Sequence, residues 1–166
     1  MIALETLQNV LMDNRQLAES KKIFPRNISL DSYPRCVLVG VRRSGKSYLL
    51  FRKIQELLSG GKSWDDMLYL NFEDERLLGF DAADFNSILV AHAEMTGRRE
   101  LPTLFLDEIQ IIDGWEKFAR RMADAEANIY ITGSNAKMLS TDVSAALGGR
   151  FMTQSARCKP RHSCRG

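Results

Sequence analysis

Cysteine is scarce in this chain of 166 residues: three, an odd number that does not suggest a disulfide framework and points to a reducing, cytoplasmic setting. Long apolar runs are absent, and none approaches the roughly 20 residues of a membrane span. A signal-peptide pattern is missing too, because Glu5, Asn9 and Asp13 interrupt the apolar residues at the N-terminus. There is no internal repeat and no low-complexity segment. An excess of one charge is also lacking. The net charge is +2, but the last fourteen residues, from Thr153, hold Arg157, Lys159, Arg161 and Arg165 and no acid. Taking those four from the 23 basic residues leaves 19 against 21 acidic, a net −2. The body of the chain therefore gives no electrostatic case for nucleic-acid binding. What remains is ordinary for one soluble domain with a sizeable core: 45% hydrophobic and 27% charged residues.

Against that plain background one stretch stands out, Gly40-Val41-Arg42-Arg43-Ser44-Gly45-Lys46-Ser47. It fits G-x-x-x-x-G-K-[ST], the phosphate-binding P-loop or Walker A pattern. The run Cys36-Val37-Leu38-Val39 before it is of strand type, and residues 47–58 after it read as a helix. Strand, glycine-bounded loop and helix is the order the chemistry needs. The glycines let backbone N–H groups curl around an anion, and the helix N-terminus adds favourable dipole charge. Lys46 is placed to reach the β- and γ-phosphates, and the Ser47 hydroxyl to hold Mg²⁺.

A second pattern complements the first. Thr103-Leu104-Phe105-Leu106 is an apolar strand ending in Asp107-Glu108, a Walker B arrangement. Asp107 at the strand's carboxyl end would hold Mg²⁺, through water. Glu108 could polarise an attacking water as general base. An apolar run ending in Asp-Glu often marks only a strand entering a solvated loop. Its separation from the P-loop, room for one further strand and helix, favours the functional reading.

Along the chain, residues 2–19 suggest an amphipathic helix, with Leu4, Leu7, Val10, Leu11 and Leu17 on one face. Pro25 and Pro34 mark a loop or extended lead-in. Residues 67–72 form a second strand, followed by Glu73-Asp74-Glu75. Asp84 caps a helix through about His92, and Asp113 or Gly114 starts another through about Ala123. Residues 128–132 are a fourth strand, and residues 136–147 are mostly helical. Alternating strands and helices imply an α/β fold, a parallel sheet covered on both faces in a three-layer α/β/α arrangement. Ligands then sit beyond the carboxyl ends of the strands, where both motifs lie.

These residues resemble a family of bacterial and archaeal AAA-type P-loop ATPases whose ATPase module precedes a C-terminal domain of unknown function. The matching pieces are residues 40–47, Tyr69-Leu70-Asn71-Phe72-Glu73-Asp74-Glu75, Leu104-Phe105-Leu106-Asp107-Glu108-Ile109-Gln110, Trp115-Glu116-Lys117-Phe118, Ile131-Thr132-Gly133-Ser134-Asn135-Ala136 and Gly149-Arg150. The resemblance implies a four- to five-stranded sheet ordered 5-1-4-3-2. It also implies roles that spacing does not show. Ser134 and Asn135 would be sensor 1, touching the γ-phosphate or attacking water; the alternative is a polar turn after a strand. Arg150 would be an arginine finger acting in a neighbouring subunit's site; the alternative is a surface arginine at a helix end. Glu73 either faces the nucleotide or belongs to a solvated acidic turn.

The chain departs from the family after Gly149-Arg150. Family members continue with a fifth strand and a long second domain, whereas residues 153–166 show no apolar periodicity and read as neither strand nor helix. That tail reads as a shifted frame, a truncation or a vector remnant, basic and disordered. A zinc site from Cys158, His162 and Cys164 is the sharper alternative, but it lacks a paired C-x-x-C and a fourth ligand. With only a stub of a fifth strand, the segment Cys36 to Gly40 is expected to present an open apolar edge that invites aggregation or pairing with another chain. The expected organisation is a helix and lead-in over 1–30, a P-loop core over 31–152 and the tail over 153–166.

The expected function is Mg²⁺-dependent ATP binding and hydrolysis to ADP and phosphate, driving conformational change in a protein partner, with homo-oligomerisation open. The alternative is an ATP-binding switch or truncated fragment without turnover. A GTPase is disfavoured because no Asn-Lys-x-Asp motif appears, and a small-molecule kinase because no acceptor-binding segment does.

Overall fold

The structure is a computed structural model and describes residues 1–24, 30, 33–134, 138 and 141–156. Among the described residues five α-helices alternate with five strands. They are α1 (Leu4–Ser20), β1 (Arg35–Gly40), α2 (Lys46–Ser59), β2 (Met67–Asn71), α3 (Phe85–Thr96), β3 (Thr103–Asp107), α4 (Trp115–Asp124), β4 (Ile129–Ser134), α5 (Thr141–Leu147) and β5 (Met152–Ser155). All strand pairs are parallel, and the order across the sheet is β2-β3-β4-β1-β5, which from the other edge reads 5-1-4-3-2.

The strands alternate strictly although both faces are buried. Val37, Val39, Leu68, Leu70, Leu104, Leu106, Ile129 and Ile131 face the layer built from α1, α3, α4 and α5. Cys36, Leu38, Met67, Tyr69, Phe105 and Tyr130 face α2, which contributes Leu49, Leu50, Phe51 and Ile54. A parallel sheet covered on both faces reads as continuous apolar runs for this reason. Burial also pushes the Cys36 thiol up to about 11, so it stays protonated and inert in the core. Among the described residues no helix is long and apolar enough to cross a membrane.

Several element ends differ from the sequence reading. The buried stripe of α1 runs Leu7, Val10, Leu11, Asn14 and Ala18. Leu17 is exposed, one position off that stripe. Asp84 stands at the N-cap position of α3, as expected, but its side chain makes no capping hydrogen bond to that helix. Its carboxylate accepts from the Asp81 N–H at 3.2 Å and the Ile2 N–H at 3.3 Å, closing the preceding turn and tying down the N-terminus. The helix itself continues to Thr96 and stops at Gly97, whose φ of 70° suits glycine.

The largest correction lies at the C-terminal edge. Residues 152–155 form a strand in register with residues 36–39 of β1, and the Ala156 N–H donates to the Val39 carbonyl at 2.8 Å. The expected open edge of β1 is therefore paired. Apolar periodicity gave no sign of this because the ladder uses backbone groups. β5 is an outer strand whose side chains are mostly exposed, and Ala156, the residue that follows it, is buried. Residues 157–166, with the zinc alternative on them, lie outside the described residues.

Candidate functional site

The sheet brings three of the motif ends to one edge. Gly40 is in register with Ser134, and Asn71 with Asp107. The loop after β1, the acidic pair after β3 and Ser134 thus stand side by side at the strands' carboxyl ends. The loop turns sharply, with Arg43 at φ 61° and Gly45 at φ 85°. Gly40 needs to be glycine for another reason: a Cβ there would stand 2.5 Å from Ser44 Oγ. The loop delivers the chain into α2 at Lys46, so the free N–H groups of that helix point into the loop's concavity.

Lys46 is only 3% exposed. Its Nζ donates to the Gly40 carbonyl at 3.2 Å and the Val41 carbonyl at 3.1 Å, and lies 3.6 Å from Glu108 Oε1. A buried ammonium needs such partners. Asp107 is fully buried and carries two hydroxyl donors. Tyr69 Oη donates to its Oδ2 at 2.8 Å, and Thr132 Oγ1 donates to its Oδ1 in a short hydrogen bond. Burial raises the Asp107 pKa, while the neighbouring hydroxyls of Thr132, Ser47 and Tyr69 pull it back down. Burial, and then the Asp107 charge, push the Tyr69 phenol upward, so Tyr69 remains a donor.

Glu108 takes an uncommon backbone conformation, φ 56°. Its N–H is held by Thr132 Oγ1 at 2.9 Å and its Oε2 by Gln110 Nε2 at 2.6 Å. The Ser47 hydroxyl and Asp107 carboxylate are hard oxygen donors beside an anion cradle. That set suits Mg²⁺, which takes few protein ligands and fills its octahedron with water and phosphate oxygen. No cluster of three or more His, Cys, Asp or Glu that could hold a metal occurs among the described residues.

The other candidates fall differently. Val41, Arg42 and Arg43 at the loop's tip are exposed, and Arg42 pairs with Glu73 at 3.0 Å across the site's mouth. Both partners are well exposed, so the pair is worth little by itself. Ser134 is half-buried at the end of β4; Asn135 lies outside the described residues. Arg150 is not brought to this site. It precedes β5, at the opposite ends of the strands, where its Nε donates to Asp124 Oδ1 at 2.5 Å and its carbonyl accepts from Arg35 Nε at 3.2 Å.

Sequence reasoning assigned no role to Tyr69, Thr132 or Gln110. Thr132 offered one signal, a polar residue inside the apolar run of β4. Tyr69 offered none, since an aromatic in a strand is ordinary core. Gln110 was visible only as part of the Asp-Glu-Ile-Gln run.

A family model described as an AAA domain matches residues 32–157. An uncharacterized protein of Methanocaldococcus jannaschii is 39% identical over 145 residues, covering 86% of this chain and 31% of that protein. An uncharacterized protein of Haemophilus influenzae is 38% identical over 118 residues, covering 70% of this chain and 29% of that protein. The chain thus spans under a third of either relative. Among solved structures, a cryo-EM reconstruction of closed-state Hsp104 with ATPγS and FITC-casein aligns over 93% of this chain and 29% of that one, at a TM-score of 0.48 and 14% identity.

Proposed function

The chain belongs to the AAA domain family, and we propose that this nucleotide-binding module binds ATP with Mg²⁺ and hydrolyses it to ADP and phosphate. The observation that carries the reading is the position of Lys46. It is buried at the start of α2, between the carbonyls of its own loop and Glu108. The loop N–H groups and the N-terminus of α2 cradle the phosphates. Lys46 leaves its carbonyl partners for the β- and γ-phosphate oxygens. Ser47 and Asp107 would hold Mg²⁺, which supplies neutralisation of phosphate charge. Glu108 accepts a proton from the water that attacks the γ-phosphorus, as the bond from that phosphorus to the β–γ bridging oxygen breaks.

Ser134 and Asn135 are proposed to sense the γ-phosphate from the end of β4. Arg150 is proposed to act in a neighbouring copy, because its own site lies at the other end of the sheet. Turnover is proposed to drive a conformational change in a protein partner. The Arg150–Asp124 pair favours a second reading for the isolated chain, a nucleotide-binding switch that turns over slowly until a neighbour supplies the arginine.

Two variants separate binding from hydrolysis. Lys46→Ala removes charge-assisted contacts worth roughly 1.5–3 kcal/mol each, so affinity for a fluorescent ATP analogue should fall about tenfold or more. Glu108→Gln should keep nucleotide while phosphate release falls by about 10²–10⁴. Unchanged titration by Lys46→Ala removes the binding site; turnover by Glu108→Gln at the parent rate removes the base.

A further inference from the structure

Gln110 sits two residues past Glu108 in the single turn Ile109–Ile111. Its amide is divided in its use. Nε2 donates to Glu108 Oε2 at 2.6 Å, a charge-assisted bond. Oε1 is buried with no hydrogen-bond partner among the described residues. That oxygen and the Met138 side chain together fill the space left by the absent side chain of Gly133, where a Cβ would stand 2.7 Å from the oxygen and 2.4 Å from Met138 Cγ. A methionine would occupy the same space without an orphaned oxygen, and an unsatisfied buried acceptor is costly. Packing therefore does not account for an amide at this position; its nitrogen does.

Two other contacts define what that nitrogen holds. The Glu108 backbone, at φ 56°, is anchored through its N–H to Thr132 Oγ1 at 2.9 Å. The remaining carboxylate oxygen, Oε1, stands 3.6 Å from Lys46 Nζ. Among the described residues no other side chain holds this carboxylate.

We propose that Gln110 is the positioning residue for Glu108, and that it keeps hold of Oε2 when nucleotide draws Lys46 away from Oε1. This deepens the hydrolysis reading above and rests on it. While Lys46 lies between the loop carbonyls and Glu108, both carboxylate oxygens are occupied. When the ammonium moves to the phosphates, Oε1 is released toward the attacking water and Oε2 stays fixed. The water adds to the γ-phosphorus, its proton goes to Glu108 Oε1, and the electron pair of the broken bond leaves on ADP. Gln110 exchanges no atom; it removes the carboxylate's freedom to swing. A misaimed catalytic group costs roughly ten- to hundredfold in rate.

The test is Gln110→Met, alone and combined with Glu108→Gln. Gln110→Met gives up the bond to Glu108 Oε2 but also removes the orphaned oxygen, two opposing terms, so it should unfold close to the parent temperature and bind a fluorescent ATP analogue within about twofold of the parent. Its kcat for phosphate release should fall roughly ten- to hundredfold with KM little changed. The double variant should be no slower than Glu108→Gln alone, since Gln110 acts only through Glu108. An unchanged kcat, a lowered unfolding temperature with matching loss of binding, or multiplicative losses in the double variant would each overturn the proposal. A parent chain that releases no phosphate would instead sink the hydrolysis reading. The contact is then decided by ¹⁵N-glutamine spectra of the whole chain. The Gln110 side-chain amide signals, assigned by their loss in Gln110→Met, should move in Glu108→Ala. Signals that stay put overturn the proposal independently of turnover.

Discussion

Thr132→Val tests how the buried acid of the site is held. Thr132 is fully buried, and its one hydroxyl donates to Asp107 Oδ1 and accepts from the Glu108 N–H. Valine keeps the shape and removes only the oxygen. Losing a bond to a carboxylate costs about 1.5–3 kcal/mol, and leaving the Glu108 N–H unpaired adds about 1–3 kcal/mol. Both bonds pass through one atom, so the terms do not simply add, and the new methyl recovers about 0.8 kcal/mol of apolar burial. A net loss of about 2–4 kcal/mol is expected, or roughly 5–15 °C in unfolding temperature for a chain of this size. The loss also has a pH signature. Burial already raises the Asp107 pKa, and Thr132 is one of the donors that oppose the rise. Removing it raises the folded pKa further. A carboxyl whose folded pKa exceeds its unfolded one takes up protons on folding. Its contribution is therefore most favourable below the ordinary aspartate range and is lost as pH rises through the folded pKa. The deficit of Thr132→Val must then be larger at pH 8 than at pH 5. Thermal unfolding followed by circular dichroism, without Mg²⁺ or nucleotide, measures both. An unfolding temperature within about 2 °C of the parent at pH 8, or a deficit that shrinks as pH rises, refutes the reasoning.

Asp107→Asn removes the buried charge itself. By the same sign argument its stability should depend less on pH above the ordinary aspartate range than the parent's, and the rise in unfolding temperature that Mg-ATP gives the parent should disappear. Differential scanning fluorimetry across pH, with and without Mg-ATP, checks both halves. Ala156→Pro deletes the N–H that donates to the Val39 carbonyl at 2.8 Å, next to Gly40. It should cost roughly 1–3 kcal/mol and raise concentration-dependent light scattering, because the end of the β1 edge is uncovered. Parent-like scattering at matched stability would show that β5 does not protect β1.

The fold was legible because its signals are local and repeated. Short apolar strands alternate with amphipathic stretches, and a glycine-bounded loop joins the first pair. What escaped was either non-local or carried by backbone. β5 has no apolar face to advertise it; it exists because β1 offers a row of unpaired N–H and C=O groups. Asn14 was another silent residue. It lies in the buried stripe of α1, where its Oδ1 accepts from the Asn71 N–H at 3.0 Å and ties the helix to the end of β2. Nothing in helix periodicity distinguishes such a tie from a misplaced polar residue. The motif residues Lys46, Ser47, Asp107 and Glu108 were found from spacing alone, yet the groups that aim them, Thr132, Tyr69 and Gln110, come from three separate elements. Only the sheet's register reveals that these three converge.

That convergence changes how nucleotide affinity at this site has to be understood. In the structure the charged groups have partners within the chain. Lys46 has two carbonyls and Glu108, and Asp107 has the hydroxyls of Tyr69 and Thr132. On the proposed reading, each contact made to a phosphate is gained by giving up one of these, so measured affinity reports a difference and not a sum. The exchange also links two functions that are usually discussed apart. As proposed, Lys46 cannot reach the phosphates without releasing Glu108 Oε1, so occupancy of the loop and exposure of the proposed base become one event. A site built this way would keep that base engaged until a phosphate displaces the lysine. In the proposed scheme the loop's charge is the control element, and Gln110 ensures that what is released is an oriented carboxylate and not a mobile one.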